Sequence, residues 1–184
     1  MQEIYFRITP GIEAHTHDYI KTGQIDSKFG FTLENGDLYE AIENLSKYNH
    51  IKLVGVHAHI GSQIFDIEPF MDEVDIMMDL VKEIKKKYNI ELKEVDLGGG
   101  IGVYYTKEDK SKSIKEFCVA IIKRANQKCK KIGIKVPTLI IEPGRSIIAN
   151  AGSTLYTIGS IKDIKGIRTY VSVNGGMTDN IGWI

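Results

Sequence analysis

A chain of 184 residues is long enough to bury one sizeable core, and 24 basic against 24 acidic residues leave no broad field to attract nucleic acid or an anionic membrane. No apolar run approaches the ~20 residues of a membrane span, and the first residues lack a signal-peptide pattern. A cytoplasmic protein acting on small molecules or protein partners is expected.

Ile4 to Ile8 reads as a short strand, stopped by Thr9-Pro10-Gly11. The polar stretch Glu13 to Ser27 reads as a loop, so His15 and His17 are expected to be solvated rather than metal ligands, and Lys28 to be surface charge. After the Asn35-Gly36 turn, Asp37 is expected to cap a helix carrying Leu38, Ala41, Ile42, Leu45 and Tyr48 on one face. Leu53 to His59 is the next strand. Phe70, Val74, Met77, Val81, Ile84 and Tyr88 then alternate by three and four, the core stripe of an amphipathic helix, which makes Met71, Met77 and Met78 packing residues. Glu94 to Leu97 forms a strand. Ser113 and Glu116 make a capping box for a third helix, with Ile114, Phe117, Ile121, Ile122 and Ala125 as its expected buried face and Lys128, Lys130 and Lys131 near its C-terminus. Cys118 and Cys129 fall on that helix, about 16 Å apart at its ~1.5 Å rise per residue, too far for a disulfide. They are read as structural thiols. Thr138 to Ile141 is the last strand of this series.

This alternation of strand and helix specifies parallel strands with crossover helices. From about Ser153 the pattern changes to two antiparallel strands, Thr154 to Ile164 and Thr169 to Val173, turning at Lys165-Gly166. They read as the entry into an all-β domain.

Three strand ends carry chemistry. Gly98-Gly99-Gly100 offers a sharp turn and close backbone approach to an anion. Glu142-Pro143-Gly144-Arg145 sets a carboxylate and a guanidinium beside a turn, and His57-Ala58-His59-Ile60-Gly61-Ser62-Gln63 adds two imidazoles and a hydroxyl. An aromatic aldehyde phosphate suits this set. Its phosphate would take the amides of Gly98, Gly99 and Gly100, the Ser62 hydroxyl and the Gly144 amide, with Arg145 pairing to phosphate or to a substrate carboxylate. Glu142 would hold the ring nitrogen protonated, and His59 would lie against the ring. In a (β/α)₈ barrel such strand tips form the catalytic face, although a complete barrel takes roughly 250 residues.

Taken in order, His57 to Gln63, Leu97 to Gly102, Glu142 to Arg145 and Val173-Asn174-Gly175-Gly176-Met177-Thr178-Asp179-Asn180 resemble the fold-type III, alanine-racemase-like pyridoxal-phosphate decarboxylases, and among them the diaminopimelate decarboxylases. The likeness implies pyridoxal 5'-phosphate as cofactor, with His59 on the ring, Ser62 and Gly100 at the phosphate, Glu142 at the ring nitrogen and Arg145 at cofactor or substrate. It implies a carboxy-lyase that removes the carboxylate at the D-centre of meso-diaminopimelate to give L-lysine, working as a homodimer. It also implies α/β architecture: residues 1–152 as the C-terminal half, about four strand–helix units, of a (β/α)₈ TIM-type barrel, and 153–184 as the start of a β domain.

There are departures. The family's Schiff-base lysine lies on the first barrel strand, which would precede Met1, so no lysine here takes that role. Asn174 stands where the family has aspartate, and Gly182-Trp183-Ile184 replaces an arginine-proline-leucine-tyrosine segment. The chain alone is therefore expected to be inactive, with strand edges near Tyr5 and Ile140 open to association. Competing readings are a sister decarboxylase acting on ornithine, arginine or carboxynorspermidine, a non-catalytic decarboxylase-like binding protein, and a metal-dependent barrel hydrolase using His57 and His59. The last is weakened by the lack of a convergent aspartate at the other strand tips.

Overall fold

A computed structural model describes residues 1–12, 28–176 and 178–179. His15 and His17 lie outside the described residues. The chain forms two compact units, Met1–Ala149 and Asn150–Ile184.

The first unit is an α/β arrangement around a parallel sheet. Its strands are β1 (Gln2–Thr9), β2 (Phe31–Thr32), β3 (Ile51–Ala58), β4 (Glu94–Asp96) and β5 (Thr138–Ile140), in the order β2-β1-β3-β4-β5, every neighbouring pair parallel. β2 has no counterpart in the sequence reading. Two residues are too few to show a period, and what makes them a strand is long-range pairing with Ile8 and Thr9. It covers one end of β1.

Helices α1 (Asp37–Asn44), α2 (Glu68–Tyr88) and α3 (Ile114–Ile132) are the connections. Gly36, not Asp37, is the N-cap of α1: its left-handed backbone (φ 85°) suits glycine, and Asp37 becomes the first helical residue, its N–H donating to Asn35 Oδ1 at 3.1 Å. The helix ends at Asn44 and passes into a 3₁₀ turn, Leu45–Lys47, which carries Tyr48 off the expected apolar face into solvent. α2 buries Phe70, Val74, Met77, Met78, Val81 and Ile84, as its spacing predicts, and Asn89 closes it in the left-handed region. Ser113 and Glu116 make the predicted capping box of α3, and Gly133 ends that helix. The buried line of α3 is narrower than expected: Phe117, Ile121, Ala125 and Cys129 face inward, while Ile114 and Ile122 are exposed. Residues four apart suffice to pack against α2, and the rows beside them stay wet.

Phe70 of α2 meets Phe117 of α3 edge-on, centroids 5.3 Å apart at 74°, worth ~1 kcal/mol beyond their buried area. Arg124 to Asp75 and Lys128 to Asp79 bridge the same helices, both at separations of 49 residues. Such exposed pairs add little stability but fix how the helices slide against each other. Val56 of β3 and Val95 of β4 are fully enclosed, in one core with the apolar residues of α2 and α3. Helix α4 (Gly144–Ile148), five residues long, follows the Pro143 turn and carries Arg145.

The second unit is a hairpin of β6 (Ile158–Ile164) and β7 (Arg168–Val173), antiparallel, with Gly166 (φ 76°) in the turn. Asn174 closes its open end: its Oδ1 accepts the Thr157 N–H at 2.8 Å, and its own N–H donates to Thr157 O at 3.2 Å.

Candidate functional site

β3, β4 and β5 run side by side in one direction, so the loops after them emerge at one edge of the sheet. The first two loops are joined by backbone. Ile64 N–H donates to Gly100 O at 2.9 Å and Gly102 N–H to Ile64 O at 2.8 Å, while the Gln63 carboxamide both donates to Val103 O (2.9 Å) and accepts from Val103 N–H (3.0 Å). The second and third meet where Glu142 N–H donates to Gly98 O at 2.6 Å. Two glycines make this closeness possible. A Cβ on Gly99 would lie 2.2 Å from Glu142 O, and one on Gly100, whose φ is +94°, 2.2 Å from Gly61 O.

The side chains sort into two groups. In the first, His57 Nε2 is 3.4 Å from Glu142 Oε2, and donor atoms of His57, Asp96 and Glu142 all lie within 4.8 Å of one another. Burial raises the Asp96 carboxyl above its ordinary value, against the Gly98 amide that lowers it, and the Glu142 charge adds to the rise. His59 stands next to this group. Burial, followed by the Arg7 and His57 charges, holds its imidazole below the ordinary value, and Gly99 N–H donates to its Nδ1 at 3.2 Å. The ring is therefore neutral at pH 7, with its proton on Nε2. The second group is cationic: Arg145 donates from Nη2 to Ser62 Oγ at 2.9 Å and from Nη1 to Tyr105 Oη at 3.0 Å, beside the Gly100 turn.

The three strand tips thus converge as the sequence predicts, and Glu142, His59, Ser62, Gly100 and Arg145 fall in one region of the first unit. The glycine amides have partners within the protein: Gly98 N–H donates to Asp96 Oδ1 at 2.8 Å, Gly99 N–H to His59 Nδ1 at 3.2 Å, and Gly144 N–H to Glu142 O at 2.8 Å. The expected lack of a convergent aspartate is corrected. Asp96 joins His57 and Glu142 in a trio that offers a metal ion three ligand atoms, and His59 is not part of it. Lys28 is exposed, its Nζ 5.2 Å from the Phe29 ring centroid. Asp96 and Tyr105 were missed as site residues. Asp96 stands two residues before a glycine, the pattern of a side chain that accepts a nearby backbone N–H, and that signal was available. Tyr105 has none.

The family model for "Pyridoxal-dependent decarboxylase, pyridoxal binding domain" matches residues 1–149. The chain belongs to the pyridoxal-dependent decarboxylase family. Within that family it is 48% identical over 179 residues to diaminopimelate decarboxylase of Bacillus subtilis, covering 97% of this chain and 41% of the relative. Solved structures of pyridoxal-dependent decarboxylases agree with it. Diaminopimelate decarboxylase of M. jannaschii in complex with L-lysine matches at TM-score 0.75 and 39% identity over 96% of this chain and 40% of that one. The Helicobacter pylori enzyme, also complexed with L-lysine, matches at 0.71 and 32% over 96% and 41%. The chain spans about two fifths of the length of these relatives.

Proposed function

We propose that this chain supplies the cofactor-binding strand tips of a diaminopimelate decarboxylase, a carboxy-lyase that converts meso-diaminopimelate to L-lysine with pyridoxal 5'-phosphate. On this reading residues 1–152 are the C-terminal half of a (β/α)₈ barrel, residues 153–184 begin a β domain, and the whole enzyme is a homodimer. The observation that carries it is the backbone bond from Glu142 to Gly98, which sets an acid and a glycine turn within the span of one flat, phosphorylated molecule.

The residues present fit that group. Glu142 is an acceptor for a protonated ring nitrogen, and the neutral His59 ring can lie against an aromatic face without bringing charge to it. Arg145 and Ser62, already paired, make a cation and hydroxyl end for a phosphate, and the Gly100 turn lets backbone approach where a Cβ would collide. Pyridoxal 5'-phosphate, when bound, supplies the electron sink that accepts the pair left by the departing carboxylate. A sister decarboxylase of ornithine or arginine needs the same cofactor end, so the substrate assignment rests on the relatives, up to 48% identical, that bear the diaminopimelate name.

The test is a full-length chimera in which this chain replaces the stretch it matches in the Bacillus subtilis relative. Release of CO₂ and L-lysine from meso-diaminopimelate, dependent on added cofactor, is expected. A folded, cofactor-loaded chimera that decarboxylates ornithine or arginine instead would overturn the substrate assignment.

A further inference from the structure

We propose that His57 is a positioning residue for Glu142, orienting the carboxylate that the reading above assigns to the cofactor's ring nitrogen. The inference rests on that reading and deepens it. Arg7 of β1, His57 of β3 and Asp96 of β4 are direct cross-strand partners, so they share one face of the sheet. Asp96 pairs in turn with Ile140, two residues short of Glu142. The row ends where His57 Nε2 meets Glu142 Oε2 at 3.4 Å.

Each member is held by something other than Glu142. The Arg7 guanidinium lies over the Phe29 ring, 4.5 Å from its centroid, and Asp96 accepts the Gly98 N–H. The His57 side chain is largely buried on an inner strand, whereas that of Glu142 is more than half exposed beyond the end of an outer one. A carboxylate so placed samples several rotamers and would meet a ring nitrogen in only some of them. The imidazole is the one hydrogen donor between the two carboxylates of this trio. By occupying Oε2 it leaves Oε1 to turn toward the cofactor, and it moderates the repulsion that Asp96 would otherwise exert on Glu142. His57 touches neither cofactor nor substrate on this account; it acts through Glu142.

The test compares binding of pyridoxal 5'-phosphate with binding of its 1-deaza analogue, in which C–H replaces the ring nitrogen. It uses the apo form of the full-length holoenzyme carrying this chain, as wild type, His57→Gln and His57→Asn. Wild type should prefer the natural cofactor by about tenfold or more, the fold-change expected of a charge-assisted hydrogen bond. His57→Gln, whose carboxamide nitrogen reaches as far as Nε2, should keep that preference to within about threefold. His57→Asn, shorter by one methylene, should lose most of it. A merely structural residue would weaken both ligands alike, so the same ratio in all three proteins overturns the proposal. No preference in wild type would remove the Glu142 assignment itself, and this inference with it.

Discussion

β3 of the first unit and β7 of the second are written in similar letters, each rich in β-branched residues, and their fates differ. Val56 of β3 is fully enclosed, whereas Val171 and Val173 of β7 are 49% and 43% exposed. What separates them is cover: the buried residues of β3 and β4 share one apolar core with those of α2 and α3, while every residue of β7 is exposed. β-Propensity alone places a residue on a pleated surface; burial requires a second layer. The site depends on that layer, since the tips bearing His57, Asp96 and the glycines extend from the covered strands.

The comparison is broken most severely at Phe117, the edge-on partner of Phe70 between the two covering helices. Phe117→Ala should cost ~3–5 kcal/mol, as large-to-small changes at enclosed aromatics do. Urea unfolding of the chain, followed by far-UV circular dichroism, measures this. A loss below ~1 kcal/mol would mean that cover over β3 and β4 does not depend on this contact.

Glu73 sharpens the contrast, because the first unit encloses even a carboxyl. The side chain lies on α2 among Phe70, Val74 and Met77, fully buried, with neither oxygen meeting a hydrogen-bond partner. Burial, and to a lesser degree the Asp96 charge, raises its proton affinity well above the ordinary glutamate value, so the folded protein holds this proton more tightly than the unfolded chain. The stabilising contribution is therefore complete below the ordinary value near 4.5 and declines as pH climbs from there toward the raised one. Glu73→Met removes both the slope and the unpaired group. It should stabilise the chain by ~1–3 kcal/mol at pH 8, with the gain shrinking toward pH 4. Unfolding curves at the two pH values decide it, and an equal difference at both would contradict the account.

Much of the first unit was legible because its elements obey short periods. The three-four stripe of α2 and the Ser113–Glu116 box are local facts, and each fixed its element. The failures have a common physical cause in long-range partners. Phe31–Thr32 becomes a strand only against Ile8 and Thr9, and Ile122 turns outward because α3 needs a single row to meet α2. At the site, residue types announced an acid end and a cation end, but not which amides were already committed. That Gly99 serves His59 depends on a side chain 40 residues away in another loop, and no spacing encodes it, whereas the two-residue step from Asp96 to Gly98 was there to read.

The smallest effect is expected where cover is absent. Ile161 of β6 is the cross-strand partner of Val171 of β7, and both are exposed, at 62% and 49%. A two-stranded ribbon of this kind is marginal by itself, held by its backbone ladder, the Gly166 turn and the Asn174 closure rather than by apolar burial. Replacing Val171 with Thr keeps the β-branch and adds a hydroxyl that water can reach. The change should therefore stay within ~0.5 kcal/mol of wild type in the unfolding measurement used for Phe117. A loss of ~2 kcal/mol or more would show that Val171 is enclosed in solution, and that the hairpin, like β3, works beneath a second layer.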